Sequence, residues 1–194
     1  MEIRERVAKA LQHSMVSQAL GILNQIILIP LFLFFWGIEK YGIWLAMLAI
    51  AQWFSLVDFG TGHFLPNKLT ILHNKNKIKE YNLIIQTFLS WNIILSFVLI
   101  VLGYIFSIIL SKYNFINIMD IITIDNFIMA LSISIAYYIF QSILNISPLV
   151  YISSNKYYKP YLRNNQTLVL NLIMIPAGLF FGFGFVGISA ILFF

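Results

Sequence analysis

Leu83–Leu110 reads LIIQTFLSWNIILSFVLIVLGYIFSIIL and holds no charged side chain. A helix needs about 20 apolar residues to cross about 30 Å of hydrocarbon. This stretch is therefore long enough to span a bilayer with tilt to spare. Working outward from it, the same texture returns at Ser14–Trp36, Tyr41–Pro66, Phe127–Ile152 and Leu168–Phe181. A further run opens at Gly184 and reaches Phe194 after only 11 residues, too few for a crossing. With 60% hydrophobic and 10% charged residues, the composition fits helices that are apolar nearly all round, as lipid requires. The expectation is an all-α, polytopic membrane helical bundle of five complete spans and a partial sixth. The short last run leads to the expectation of a fragment of a longer protein.

The basic residues fall in the connections. Arg4, Arg6 and Lys9 precede span one, Lys68, Lys75, Lys77 and Lys79 lie between spans two and three, and Lys156, Lys159 and Arg163 between spans four and five. The other two connections hold only Lys40 and Lys112. Short basic loops stay in the cytoplasm. The N-terminus and residues 67–82 and 153–165 are therefore expected inside, and residues 37–40 and 111–125 outside. There is no cysteine, which excludes disulfides, thiolate catalysis and cysteine zinc sites. Span one is too long for a signal h-region and lacks a small-x-small cleavage site, so it is expected to persist. Residues 1–13 place Ile3, Val7, Ala10 and Leu11 on one face and Glu2, Arg6 and Lys9 off it. That leader fits an interfacial helix and equally a solvated basic segment that only sets topology.

Polar residues inside spans face other helices or water. At about 100° per residue, span one gathers Ser14, Ser17, Gln18, Gly21, Asn24 and Gln25 on one side. Span four gathers Ser134, Tyr138, Gln141, Ser142 and Asn145. Span three aligns Asn92, Ser96 and Gly103, and span five aligns Thr167, Asn171, Gly178 and Gly182. One such stripe alone reads as glue between helices. Four in a small bundle point to a shared polar lumen, with Gln18, Asn24, Gln25, Asn92, Gln141, Asn145 and Asn171 as candidate substrate contacts.

Asp58 is the only carboxylate inside a proposed span. It lies about 25 Å along the axis from Tyr41, at about 1.5 Å per residue, in the cytoplasmic half of span two. It must be paired, hydrated or protonated there. It reads either as a cation, proton or substrate contact, or as a helix-end fixture bonded to amides near Gly60-Thr61-Gly62 or paired with Lys68. His63 stands close by as a pH-sensitive partner or a simple hydrogen-bonded residue. Pro30, Pro148 and Pro176 interrupt three spans, each removing a backbone donor. Kinked helices suit a rocking transporter and also occur in static bundles.

Much chemistry is missing from the sequence. It contains no GxxxxGK[ST] phosphate loop and no HExxH, and its histidines are scattered. No cytoplasmic carboxylate pair offers acid–base catalysis, and no aromatic-basic patch suits nucleic acid. The chain is read as a non-enzyme with no metal, cofactor or nucleic-acid partner.

Three stretches carry a family resemblance: WGIEKYGIWL at Trp36–Leu45, LVDFGTG at Leu56–Gly62, and the following Asn67-Lys68. They resemble the start of the polysaccharide-export flippases, the Wzx-type O-antigen and teichoic-acid-type translocases of the MATE-like (MOP) superfamily. That family shows Gly-x-x-x-Tyr-Gly-x-Trp leading into its second helix and Asp-Phe-Gly near its inner end. Gly37, Tyr41, Gly42, Trp44, Asp58, Phe59 and Gly60 match position by position, and Gly184–Ala190, GFVGISA, is similar to the start of the family's sixth helix.

The resemblance implies two pseudo-symmetric lobes that enclose and alternately expose a central cavity; residues 14–194 would form the N-terminal lobe. It implies movement of an undecaprenyl-pyrophosphate-linked oligosaccharide, an O-antigen or capsule repeat unit, from the inner to the outer leaflet of a bacterial plasma membrane. Membrane lipids and polysaccharide polymerase or assembly proteins are the implied partners. Related lipid-II flippases carry cavity arginines, whereas spans one to five here have no Arg or Lys in their interiors. Lys68 and Arg163 at the inner rim, or residues beyond Phe194, are then the candidates for the anion. Two other readings remain open: a cation-coupled multidrug or small-molecule exporter of the same superfamily, with Asp58 as proton carrier, and a truncated, non-transporting membrane protein.

Overall fold

The computed structural model describes residues 3–54, 61–112, 122–154 and 156–192, and every element among them is helical. The elements are α1 (Ile3–Trp53), α2 (Thr61–Asn74), α3 (Ile78–Lys112), α4 (Ile124–Leu144), α5 (Ile146–Ser153), α6 (Tyr158–Phe180) and α7 (Phe185–Ile191). By length and composition, three helical stretches can cross a membrane: Ala8–Trp53, Ile78–Leu110 and Ile124–Ser153. α6 has the length for a crossing. Its first half, with Lys159, Arg163 and the amides of Asn164, Asn165 and Gln166, dilutes its apolar content.

α1 is two legs joined at Gly37, whose φ of 73° and ψ of 171° belong to no helix. Only glycine takes that region without strain. An unbroken helix would separate Phe32 and Trp44 by about 18 Å, yet their rings lie 6.3 Å apart. Phe32 also stacks on Tyr41 at 5.4 Å, and Trp36 meets Trp44 edge-on at 5.7 Å. The second leg therefore folds back on the first. The expected external connection 37–40 is a glycine turn rather than a loop. Phe185 of α7 closes the aromatic cluster, 4.8 Å from Trp36.

The connection expected at 67–82 is mostly helix, because α2 runs to Asn74 and α3 starts at Ile78. α2 is amphipathic. Leu65, Leu69 and Leu72 repeat at helical spacing and bury themselves against Tyr81 of α3. It stops at Asn76, which takes a φ of 55°. The Lys77 amide then donates to Leu72 and the Asn76 amide to His73, the bond pair of a Schellman ending. α6 ends the same way at Gly182, with φ 76° and the Phe183 amide donating to Gly178 at 2.9 Å.

α4 occupies the centre. Phe127, Ala130, Leu131, Ile135 and Ile139 are buried against Met47 and Ala51 of the second leg and Ile188 of α7. It yields to α5 at Asn145. Pro148 has no N–H to offer the Leu144 carbonyl, and its ring crowds that carbonyl. The proline thus interrupts span four, which reads in sequence as one kinked span, whereas α1 and α6 run through Pro30 and Pro176 as helix. α3, by contrast, turns Ile93, Ile94, Phe97, Val101, Leu102 and Ile105 outward. Soluble proteins rarely expose an apolar surface that continuous, and a bilayer accepts it.

Candidate functional site

The polar stripe of span one divides along its length. Ser17 and Asn24 are seven residues apart on one edge and meet α6. The Asn24 amide is buried and donates to Leu20 at 2.9 Å and across to the Leu168 carbonyl at 3.1 Å. The Ser17 hydroxyl donates to Asn165 Oδ1 and accepts from Asn164 Nδ2. The Asn165 amide donates to the His13 carbonyl at 3.3 Å, and the His13 ring stacks on Tyr158 at 6.0 Å. Ser17, Asn24, Asn164 and Asn165 each have a hydrogen-bond partner across the helix pair, as a polar contact at membrane depth requires. Gln18 and Gln25, on the other edge, are exposed.

The remaining candidates are scattered over the bundle. Asn92 is half-buried and donates to the Phe88 carbonyl of its own helix at 2.9 Å. Gln141, also half-buried, donates to the Tyr137 hydroxyl at 3.3 Å. Asn145 is exposed at the α4–α5 break, and Asn171 is half-buried on α6. Among the described residues, no hydrogen bond links Gln18, Gln25, Asn92, Gln141, Asn145 or Asn171 to one another. Lys68 and Arg163 are both exposed. Asp58, Phe59 and Gly60 lie outside the described residues, as does the side chain of His63. Of the matched motif, Gly37 makes the turn, Tyr41 and Trp44 pack on Phe32, and Gly42 is exposed with open space where a Cβ would stand.

Other polar residues serve helix packing. Ser134 of α4 and Ser189 of α7 are fully buried and share a hydrogen bond of 3.1 Å. Ser132 donates to Ser107 at 3.3 Å where α4 crosses α3. Sequence reading passed over Asn164, Asn165 and Ser189. The first two fell before the expected start of span five at Leu168. Continuing the helical period backwards from Leu172 through Leu168 to Asn165 would have found the seam.

A cavity of about 580 Å3 opens beside the Gly37 turn, lined by Trp36, Lys40, Thr123, Asn126 and Phe183 among others. A drier one of about 430 Å3 lies between the second leg of α1 and α3, lined by Trp53, Phe54, Leu99 and Phe106. Among the described residues no three His, Asp or Glu side chains come together as a metal site would need. No family model, no curated protein and no solved structure matches this chain.

Proposed function

We propose that this chain is the N-terminal lobe of a membrane transporter that flips a lipid-linked oligosaccharide between leaflets by alternating access. In this reading five spans and the start of a sixth sit in a bacterial plasma membrane with the N-terminus inside. The sugar headgroup passes a polar path while the lipid tail stays in the bilayer. The observation that carries the reading is Gln25. It lies at the middle of the expected span Ser14–Trp36, among exposed Ile22, Ile26, Ile27 and Ile29, and is itself exposed. An amide at that depth needs water or a polar partner. Gln18 extends the same edge towards the basic end, so the two amides mark a strip on which hydroxyl-rich cargo can exchange hydrogen bonds. The residues of the Gly37 turn, shared with the flippase motif, support the same reading by fixing how the two legs meet.

The test is rescue of surface polysaccharide in a flippase-deficient bacterial strain by the intact gene that carries this chain. The expected result is restored polymer, falling at least fivefold with Gln18→Ala/Gln25→Ala at equal protein level. Drug resistance without any polysaccharide phenotype would overturn the oligosaccharide reading in favour of an exporter.

A further inference from the structure

The basic end of the bundle holds a groove that neither the polar strip nor the Gly37 turn uses. It measures about 510 Å3, within the roughly 300–1,000 Å3 of small-molecule sites. It is lined by Ala10, Leu11 and Ser14 of α1, Ile152 of α5, and Pro160 and Tyr161 of α6, among others. Its walls are carbon apart from hydroxyls. Its surroundings are basic in sequence: Lys156 stands just before the lining residue Tyr157 and Lys159 just before Pro160, with Arg163 one turn along. The Lys159 ammonium lies 4.9 Å from the Tyr151 ring centroid, which ties one cation of α6 to α5. Residues 8–18 and 146–166 contain no acidic side chain. Among the described residues the only salt bridge is Lys77–Glu80, on another connection. Among the described residues no carboxylate forms an ion pair with Lys156, Lys159 or Arg163.

We infer that this groove binds an anionic diacyl phospholipid of the adjacent leaflet, one acyl chain lying along Leu11, Ile152 and Tyr161 and the phosphate facing Lys156 and Lys159. An apolar slot under a one-sign basic rim repeats the order of tail and headgroup in such a lipid. Basic pockets between membrane helices recognise anionic headgroups in this way. A soluble anion would leave the slot empty, and a zwitterionic lipid would leave the rim unpaired. The inference requires only that the chain sits in a bilayer, so it stands or falls apart from the transport reading.

The experiment uses the full chain in nanodiscs of equal phosphatidylglycerol and phosphatidylcholine, with retained lipid identified by native mass spectrometry. The expected result is a roughly thirtyfold preference for phosphatidylglycerol, since two basic residues at a membrane surface contribute on the order of 1 kcal/mol each. Lys156→Gln/Lys159→Gln is expected to bring the preference below about twofold, as both ammonium groups face the headgroup. Ala10→Trp fills the slot and is expected to lower retained lipid several-fold with both lysines intact; Ser14→Leu does the same if the tryptophan variant misfolds. Equal retention of the two lipids by the wild type would overturn the inference. So would full retention in the slot-filling variants, which would reduce the effect to surface attraction. Displacement of phosphatidylglycerol by a tenfold lower amount of undecaprenyl phosphate would assign the groove to the carrier lipid instead.

Discussion

Asn24 turns its amide to Leu168 across the α1–α6 seam, whereas Gln25, one residue on, is exposed. The two amides differ by about 100° of helix rotation, and that angle separates a packing residue from a residue of the proposed path. Asn24→Ala removes a bond that crosses the seam and is expected to cost about 1 kcal/mol, the usual worth of an interhelical hydrogen bond in a membrane. Gln25→Ala is expected to leave stability unchanged or to raise it. Unfolding of both variants in bicelles measures the difference. Gly37 is the other residue with a single physical job. Gly37→Ala forces a Cβ into a region essentially reserved for glycine and is expected to cost about 1–3 kcal/mol. Gly42→Ala, in open helical space, is expected to be neutral or slightly stabilising. Comparable losses from both glycines would mean that the turn is not the reason for Gly37. The sequence exposed the glycine and its aromatic neighbours but not the turn, because Trp36–Tyr41 carries no second breaker and reads equally as a short loop.

At the level of elements, small residues set how closely helices approach. A Cβ built on Gly103 of α3 would stand 2.6 Å from Cγ2 of Ile135 on α4. That methyl sits on a β-branched side chain with little freedom to move. Gly103→Ala is expected to destabilise the α3–α4 pair by about 1–3 kcal/mol through overpacking, and Ile135→Ala in the same chain to recover part of the loss. Purely additive costs in a double-mutant cycle would show that the contact is not there. Long apolar runs such as Leu83–Leu110 were legible as helices because lipid leaves few other ways to satisfy the backbone. The break after Leu144 was legible from Pro148. α2 was not, because its lysine and asparagines mask the leucines that bury one face, and its Asn76 ending looks like any polar loop. The α1–α6 seam was half legible: Ser17 and Asn24 stood out in an apolar span, but Asn164 and Asn165 sat unremarked in a basic stretch.

Across the whole molecule, the Gly37 turn, the start of α4 and the α6–α7 turn line one cavity, while His13 meets Tyr158 far from it along α1. The bundle therefore has two ends, and the proposed topology, with the basic end inside, puts the end near Lys156 in the cytoplasm. The chain has no native cysteine, so single reporters are free of background. In spheroplasts, Lys40→Cys is expected to react with an impermeant maleimide, and Lys156→Cys only after permeabilisation; the reverse pattern would invert the topology. The same chemistry reaches the proposed path directly. In intact membranes, Gln25→Cys is expected to react with a small water-soluble maleimide at a rate within about tenfold of Gln18→Cys, while Ile26→Cys and Ile27→Cys, turned away from the strip, stay unreactive. If Gln25→Cys is as inert as Ile26→Cys in the presence of the complete protein, the strip is covered by hydrocarbon or packed helix, and the transport path proposed along α1 does not exist.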